Sequence, residues 1–482
     1  MSGRFHIKRN SWLVLLSNIF RLVTNVILFV VIARSYEPEE FGRFATAHLF
    51  STVFLLVADF GFDQLLVASV PRKRETAAGV FQGYLSTKIV FACIASLVMA
   101  TYGLLGGMST EAAQLMVVFS VYVLLSSLAN YFFALFKSFE AMEEETKVAF
   151  LMNSLLLVSI LVLASQGVSV LVLSIAFVGS RIVGLTMACW RANKYVPLRK
   201  FRFKLVSRIE LRKVWVFGLH AILGAMYFVQ DTFLLSAWLG DYAAGVYQAV
   251  FKLVFLGLIG GDVLLTSLLP VLTRLNANDQ TKWGQLGWIL HKTMLYFSLP
   301  VSLLMVAFSR EIIQVVYGER YLLEAPILLQ LLGVVVLLRY VSDASGTMLT
   351  SSERQSARLK VVASAVPINL FLNFYTIPRF GVEGAAIASL ATAAYVAFGY
   401  VFFAWKHVGS WFMDVRSYAP LLVAVILGPV LRGFGIPLVL AGPVSVLAIL
   451  GIAYLVGYTS IERGLLFTIK GSDTMQTSQS SV

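Results

Sequence analysis

The chain has 482 residues, 59% hydrophobic and 13% charged, with a formal net charge of +13 and two cysteines. A soluble chain of this length would carry roughly a quarter charged residues, so a soluble globular protein is excluded. Cys93 and Cys189 both sit in apolar runs, which argues against a disulfide framework or a thiolate metal site.

Apolar runs long enough to cross a hydrocarbon core of ~30 Å at 1.5 Å per residue recur from end to end. They predict an all-α polytopic membrane protein with about 14 spans: 12–33, 43–66, 80–101, 113–136, 147–165, 169–190, 214–237, 244–270, 288–308, 325–349, 358–377, 383–405, 416–433 and 438–458. The alternating pattern of an outer-membrane barrel is absent. The first span follows basic residues and lacks a small-residue cleavage site, so it is expected to be a retained helix.

That first span contains NIFRLVTN (18–25). Ser11, Asn18, Arg21 and Asn25 fall on one helical face. A central charge facing lipid costs at least about 2.5–3.5 kcal/mol, so Arg21 is expected to face a cavity or a partner. Asp59 on a neighbouring span is a candidate bridge. Asp59 and Asp63 close the second span as caps or as coupling groups, and Lys88 and Arg181 add two more cations within spans.

Residues 191–213 carry nine basic residues and one acid, and divide six spans from six. Such a segment suits an anionic leaflet and lets two halves move apart. Beyond it, His220, Gly224, Tyr227 and Asp231 form a polar stripe, with Asp231 and His220 as coupling candidates. Lys252, Asp262, Lys292, Arg339 and Asp343 are further ionisable residues inside spans. Arg339–Asp343 reads equally as a structural ion pair, Lys292 as a snorkelling side chain, and Asn369 with Asn373 as polar glue between helices.

The two halves resemble one another. IARSYEPEEFGRF (32–44) aligns with LSAWLGDYAAGVY (235–247), placing Gly42 opposite Gly245 and, in the same register, Asp59 opposite Asp262. QGVSVLVLS (166–174) resembles FGVEGAAIA (380–388), and CWRA (189–192) resembles AWKH (404–407). Six spans per half keep the copies in one orientation, a parallel repeat typical of transporters. The expected domains are 1–190, the linker 191–213, 214–408, a span pair at 409–460, and a disordered tail at 461–482.

On the side holding the N-terminus, the loops carry 26 of the 38 Lys and Arg; the opposite loops carry 6 and the spans 6. The positive-inside rule therefore predicts both termini in the cytoplasm. The basic charge orients the chain and implies no nucleic acid. Catalytic signatures are missing: the sequence has no Gly-Lys dipeptide, hence no Walker-A loop, and no HExxH, CxxC or nucleophile elbow. An enzyme is not expected.

IARSYEPEEFGRFATAHLF with VADFGFDQLLVASVPR resembles the opening of Wzx-type polysaccharide flippases of the MOP (multidrug/oligosaccharidyl-lipid/polysaccharide) exporter superfamily. VQDTFLLSAWLGDYAAGVYQAVFKL, REIIQVVYGERYLLEAPILLQLL and LFLNFYTIPRFGVEGAAIASL resemble later regions of the same family, so the likeness covers roughly residues 10–405. It implies two six-helix lobes forming a V around a central cavity, plus two C-terminal helices. It also implies movement of a polyprenyl-pyrophosphate-linked oligosaccharide across the inner membrane, without ATP hydrolysis, for O-antigen, capsule or exopolysaccharide assembly.

That substrate suits the polar residues. Arg21, Lys88, Arg181, Lys252 and Arg339 would meet the diphosphate, and Asn18, Asn25, Tyr227, Asn369 and Asn373 the sugar. Asp231, His220, Asp59, Asp262 and Asp343 would serve coupling. No cofactor or metal is expected beyond Na+ or H+ coupling. Membrane lipid is one partner, and polymerase and chain-length or export proteins of the same pathway are others. The rival readings are a lipid II flippase, a multidrug or cation antiporter of the same superfamily, a membrane glycosyltransferase or polymerase, and an assembly scaffold. An antiporter would be expected to have an acid-dominated cavity, whereas bases outnumber acids in these spans.

Overall fold

The computed structural model describes residues 2–70, 77–198, 201–207, 211, 218, 229–408 and 415–458. Among these every regular element is a helix, with no strand. The helices are α1 (Ser2–Ser35), α2 (Pro38–Asp59), α3 (Phe62–Ser69), α4 (Ala77–Leu105), α5 (Thr110–Ser138), α6 (Met142–Ser165) and α7 (Val170–Ala192). Then come α8 (229–239), α9 (Asp241–Asn278), α10 (Gln280–Ala307), α11 (Ser309–Tyr317), α12 (Ala325–Ser351), α13 (Gln355–Val408), α14 (Ala419–Gly433) and α15 (Leu438–Ile452). Ten helices among the described residues are long and apolar enough to cross a membrane.

The fourteen predicted spans map onto this set. α1 carries the first, and α8 holds the described end of the seventh, whose residues 214–217 and 219–228 lie outside the described residues. α13 joins the eleventh and twelfth across Gly381, whose φ of 58° and ψ of −134° are not helical. A glycine is needed there because a Cβ disfavours positive φ. α14, at 15 residues, carries the thirteenth.

One span is broken where the sequence predicted continuity. The run 43–66 ends α2 at Asp59, turns through Phe60 (φ 37°) and Gly61 (φ 86°), and restarts as α3. Isolated glycine within an apolar run was the only local signal of that turn.

Local chemistry sets the helix ends. α2 starts with Pro38 in its first turn and a reciprocal capping box between Glu37 and Glu40, which satisfies amide donors that no helical carbonyl can reach. Ser109, Ser169 and Asp279 cap α5, α7 and α10 through the amides of Ala112, Val172 and Lys282.

The chain forms two compact units, 1–249 and 250–482, divided within α9. In the first, α5 packs on α2, α3, α4 and α7, and α1 packs on α6. Its core includes Phe62, Leu66, Phe81, Tyr131 and Phe136, all without exposure. In the second, α10 packs on α12, α14 and α15, and α12 on α13. Large apolar side chains such as Leu97, Leu105, Phe371, Phe398 and Leu447 are exposed, as expected where lipid is the solvent and helices satisfy their own backbone.

Part of the linker is fastened to the first unit. The amides of Lys204 and Val206 donate to Ser86 Oγ (3.1 Å) and Thr87 Oγ1 (3.0 Å) on α4. Leu198, Phe201, Val206 and Leu211 pack against the same core.

Candidate functional site

A fully enclosed ammonium meets two carboxylates where α2 breaks. Lys88 on α4 has no side-chain exposure, and its Nζ lies 3.0 Å from Asp59 Oδ1 and in ion-pair contact with Asp63 Oδ1. The turn at Phe60–Gly61 lets the last residue of α2 and the first turn of α3 converge on one ammonium. Asp59 also accepts hydrogen bonds from Ser127 Oγ (2.7 Å) and Asn130 Nδ2 (3.1 Å) of α5. The Tyr131 ring stands 5.3 Å from Lys88 Nζ, and its hydroxyl donates to the Phe81 carbonyl at 2.8 Å. Sequence reading grouped Lys88 with the diphosphate cations. Its place in the structure is instead between two carboxylates, with its charge already met. Asp59, the candidate bridge for Arg21, is held by Lys88, Ser127 and Asn130.

Arg181 on α7 is surrounded differently. Nη2 donates to Tyr122 Oη at 2.9 Å, Nη1 lies 2.7 Å from Met152 Sδ, and the guanidinium sits 5.0 Å from the Tyr122 ring centroid. Its buried Nε has no hydrogen-bond partner. No carboxylate lies within ion-pair distance of it among the described residues. Arg21 is exposed on α1, Asn25 on the same helix is half-buried, and Phe20 stacks on Phe150 of α6.

Asp231 on α8 is buried and accepts from the Tyr247 hydroxyl at 2.9 Å; beside it Gln248 donates to Thr232 at 2.7 Å. The side chain of Asn18, and residues His220 and Tyr227, lie outside the described residues. In the second unit Arg339 Nε bonds Asp343 at 3.0 Å. Asp262, exposed on α9, lies within electrostatic range of both. Lys252 is half-buried on α9, and Lys292 is enclosed over the Trp288 ring at 4.8 Å. Asn373 Nδ2 donates to Asn369 Oδ1 (2.9 Å), and Asn369 Nδ2 to Thr392 Oγ1 (3.2 Å), all buried. An apolar cavity of about 480 Å³ lies among α10, α12 and α14, with Arg432 in its lining.

Two features were not singled out from sequence. His48 on α2 is ringed by Phe29, Phe44, Phe119, Tyr122 and Phe177, with centroids 5.0–6.2 Å away. A lone histidine inside an apolar run was its signal. At the start of α2, Arg43 contacts Glu111 on α5, Glu39 (2.7 Å) and Asp241 (3.6 Å). The Glu39–Arg43 spacing of four was visible, but its partners on two other helices were not. There Gly42 and Gly245, aligned by the internal repeat, come together. A methyl on Gly42 would overlap the Asp241 carbonyl, and one on Gly245 the Pro38 carbonyl.

Among the described residues, no group of three His, Cys, Asp or Glu side chains could hold a metal ion. A family model described as polysaccharide biosynthesis protein matches residues 7–276. The chain belongs to that family. It is 21% identical over 404 residues to the probable low-salt glycan biosynthesis flippase Agl15 of Haloferax volcanii, covering 80% of this chain and 81% of that protein. It is 22% identical over 394 residues to an uncharacterised membrane protein of Methanocaldococcus jannaschii, covering 75% and 76%.

The fold is shared with solved transporters. The lipid II flippase MurJ in an inward closed conformation matches with TM-score 0.73 at 14% identity, over 91% of this chain and 98% of that one. An inward-facing multidrug resistance MATE family transporter of the MOP superfamily matches with TM-score 0.68 at 13% identity, over 82% and 96%. The expected polytopic, all-helical membrane protein is thus what the family and the fold give.

Proposed function

We propose that this protein is a flippase carrying a polyprenyl-pyrophosphate-linked oligosaccharide from the cytoplasmic to the outer leaflet of the cell inner membrane, by alternating access and without ATP hydrolysis. In this reading both termini are cytoplasmic, and the cargo feeds O-antigen, capsule or exopolysaccharide assembly. Family membership and the relative named as a glycan biosynthesis flippase support the class of cargo.

The observation that carries the reading is Arg181. A guanidinium within a span, held by a phenol and a thioether and by no carboxylate among the described residues, has a second N–H on each terminal nitrogen with which to meet a phosphate. A charge retained at such cost inside a membrane is by default a functional group. Arg21, exposed on α1, is the second cation proposed for the diphosphate, with Arg339 and Lys252 as auxiliaries. Asn25 remains a proposed sugar contact, whereas Asn369 and Asn373, buried and bonded to each other and to Thr392, are left out. Lys88 is left out because its carboxylate partners already occupy it.

The test is flipping of a fluorescent prenyl-diphosphate oligosaccharide in proteoliposomes. Arg181→Ala is expected to accumulate normally and to lose about 10- to 150-fold in apparent affinity, the loss of one charge-assisted bond at roughly 1.5–3 kcal/mol. Arg181→Lys should recover part of it. Unchanged flipping by Arg181→Ala would sink the assignment. A second cargo, lipid II, is favoured by the fold match to the lipid II flippase; parallel assays with the two head groups separate them.

A further inference from the structure

The buried cluster at the break of α2 has no part in holding the diphosphate, and its charges do not cancel. With every group ionised, Asp59, Asp63 and Lys88 sum to −1. Lys88 has no side-chain exposure and each carboxylate only 19%. A net charge in such a place is costly unless something neutralises it.

The two carboxylates are not equivalent. Asp59 receives three donors: Lys88 Nζ, Ser127 Oγ and Asn130 Nδ2. Three donors aimed at one carboxylate occupy its lone pairs. Asp63 receives Lys88 alone among the contacts described, and shares that ammonium with Asp59. The other titratable and charged groups facing Asp63 are Lys137 at the end of α5 and Tyr131, which in turn faces Tyr84. Lys137 is itself paired with Glu145 at 3.1 Å and is 42% exposed, so it leaves most of the imbalance in place. Ammonium already fills the space between the carboxylates, which leaves no room there for a metal cation's ligand shell. A proton needs none.

We propose that the Asp59–Lys88–Asp63 cluster is a proton-binding site in which Asp63 takes and releases the proton. Water delivers the proton to the partly exposed Asp63 carboxylate and removes it again; no other bond is made or broken. The site lies next to the linker's anchor, because Ser86 and Thr87, which hold Lys204 and Val206, directly precede Lys88. Loading and unloading Asp63 therefore changes the charge beside Lys88, the next residue along α4 from the attachment of the chain that joins the two halves of the sequence. Proton binding uses nothing about the cargo, so it stands or falls separately from the flippase reading.

The experiment is pH-difference infrared spectroscopy of the purified full-length protein in lipid, without substrate. A protonated-carboxyl band that titrates is expected in the natural protein, lost in Asp63→Asn and shifted in frequency in Asp63→Glu. Asp59→Asn should move its titration to lower pH, since Lys88 then serves one carboxylate. A band unchanged in Asp63→Asn, or no titrating carboxyl band in the natural protein, overturns the proposal. Loss of the band when Na+ replaces K+ at fixed pH overturns it in favour of a metal cation. If Asp63→Asn fails to accumulate, the Asp63→Glu frequency shift decides alone.

Discussion

Helix α2 carries a charge cluster at each end, and the two are built from the same kinds of groups. At its start Arg43 meets Glu39, Glu111 and Asp241, and the two glutamates are 59% and 69% exposed. At its end, about 24 Å further along the helix, Lys88 meets Asp59 and Asp63 and is wholly enclosed. Water solvates and salt screens the first cluster. Neither reaches the Lys88 ammonium in the second. The same attraction between opposite charges therefore means little at one end and constrains the fold at the other, because the cost of stranding a partner depends on what replaces it.

The largest effect should come from breaking the enclosed cluster. Lys88→Met leaves two carboxylates facing one another and is expected to cost about 3–5 kcal/mol, read as lower thermal stability of the purified protein and poorer accumulation in the membrane. Combining it with Asp59→Asn and Asp63→Asn should recover most of the loss, because no stranded charge remains. A neutral single substitution would mean that the cluster is open to water after all.

Arg43→Ala tests the other end. Its effect on stability should stay within about 1 kcal/mol and shrink as salt is raised, whereas the Lys88→Met loss should not change with salt. Equal salt dependence at both ends would remove the contrast.

The smallest effect is expected away from α2, at Glu324, which precedes α12. Burial, and then the charge of Glu383, push its carboxyl above the ordinary range. The folded protein therefore holds a proton that the unfolded chain has already released. Stability from this group is full below the unfolded carboxyl pKa and is lost as pH rises through the folded one. Glu324→Gln should flatten that slope in a melting series across pH. A slope unchanged by the substitution would assign it to other groups.

The sequence made the spans, the cations inside them and the family likeness legible, because each is written in local composition and spacing. The helix break at Gly381 was readable too, as the gap between spans at 377 and 383. Harder was anything that depends on which helix faces which. Asp59, Asp63 and Lys88 were all singled out, yet spacing along a helix identifies only neighbours on that helix. Lys88 is reached from α4, across the turn at Phe60–Gly61, so its partners could not be read from its own span. His48 was passed over for the same reason: its five aromatic neighbours come from four helices, only one of them its own. Arg43 was not singled out because two of its three acids are far away in sequence.

The anchoring of the linker has a consequence for reach. Twenty-three residues at 191–213 would make a long tether if all were free. The amides of Lys204 and Val206 are tied to α4, and Leu211 packs on the same unit. Only residues 212 and 213 then lie between the last fastened side chain and the start of the next predicted span, and two residues extend at most about 7 Å. With those attachments intact, the slack belongs to a short leash. Any larger excursion of the seventh span must first free Leu211 and then peel the strap from Ser86 and Thr87, so one leucine and the hydroxyls of two small residues set how far the rope can run.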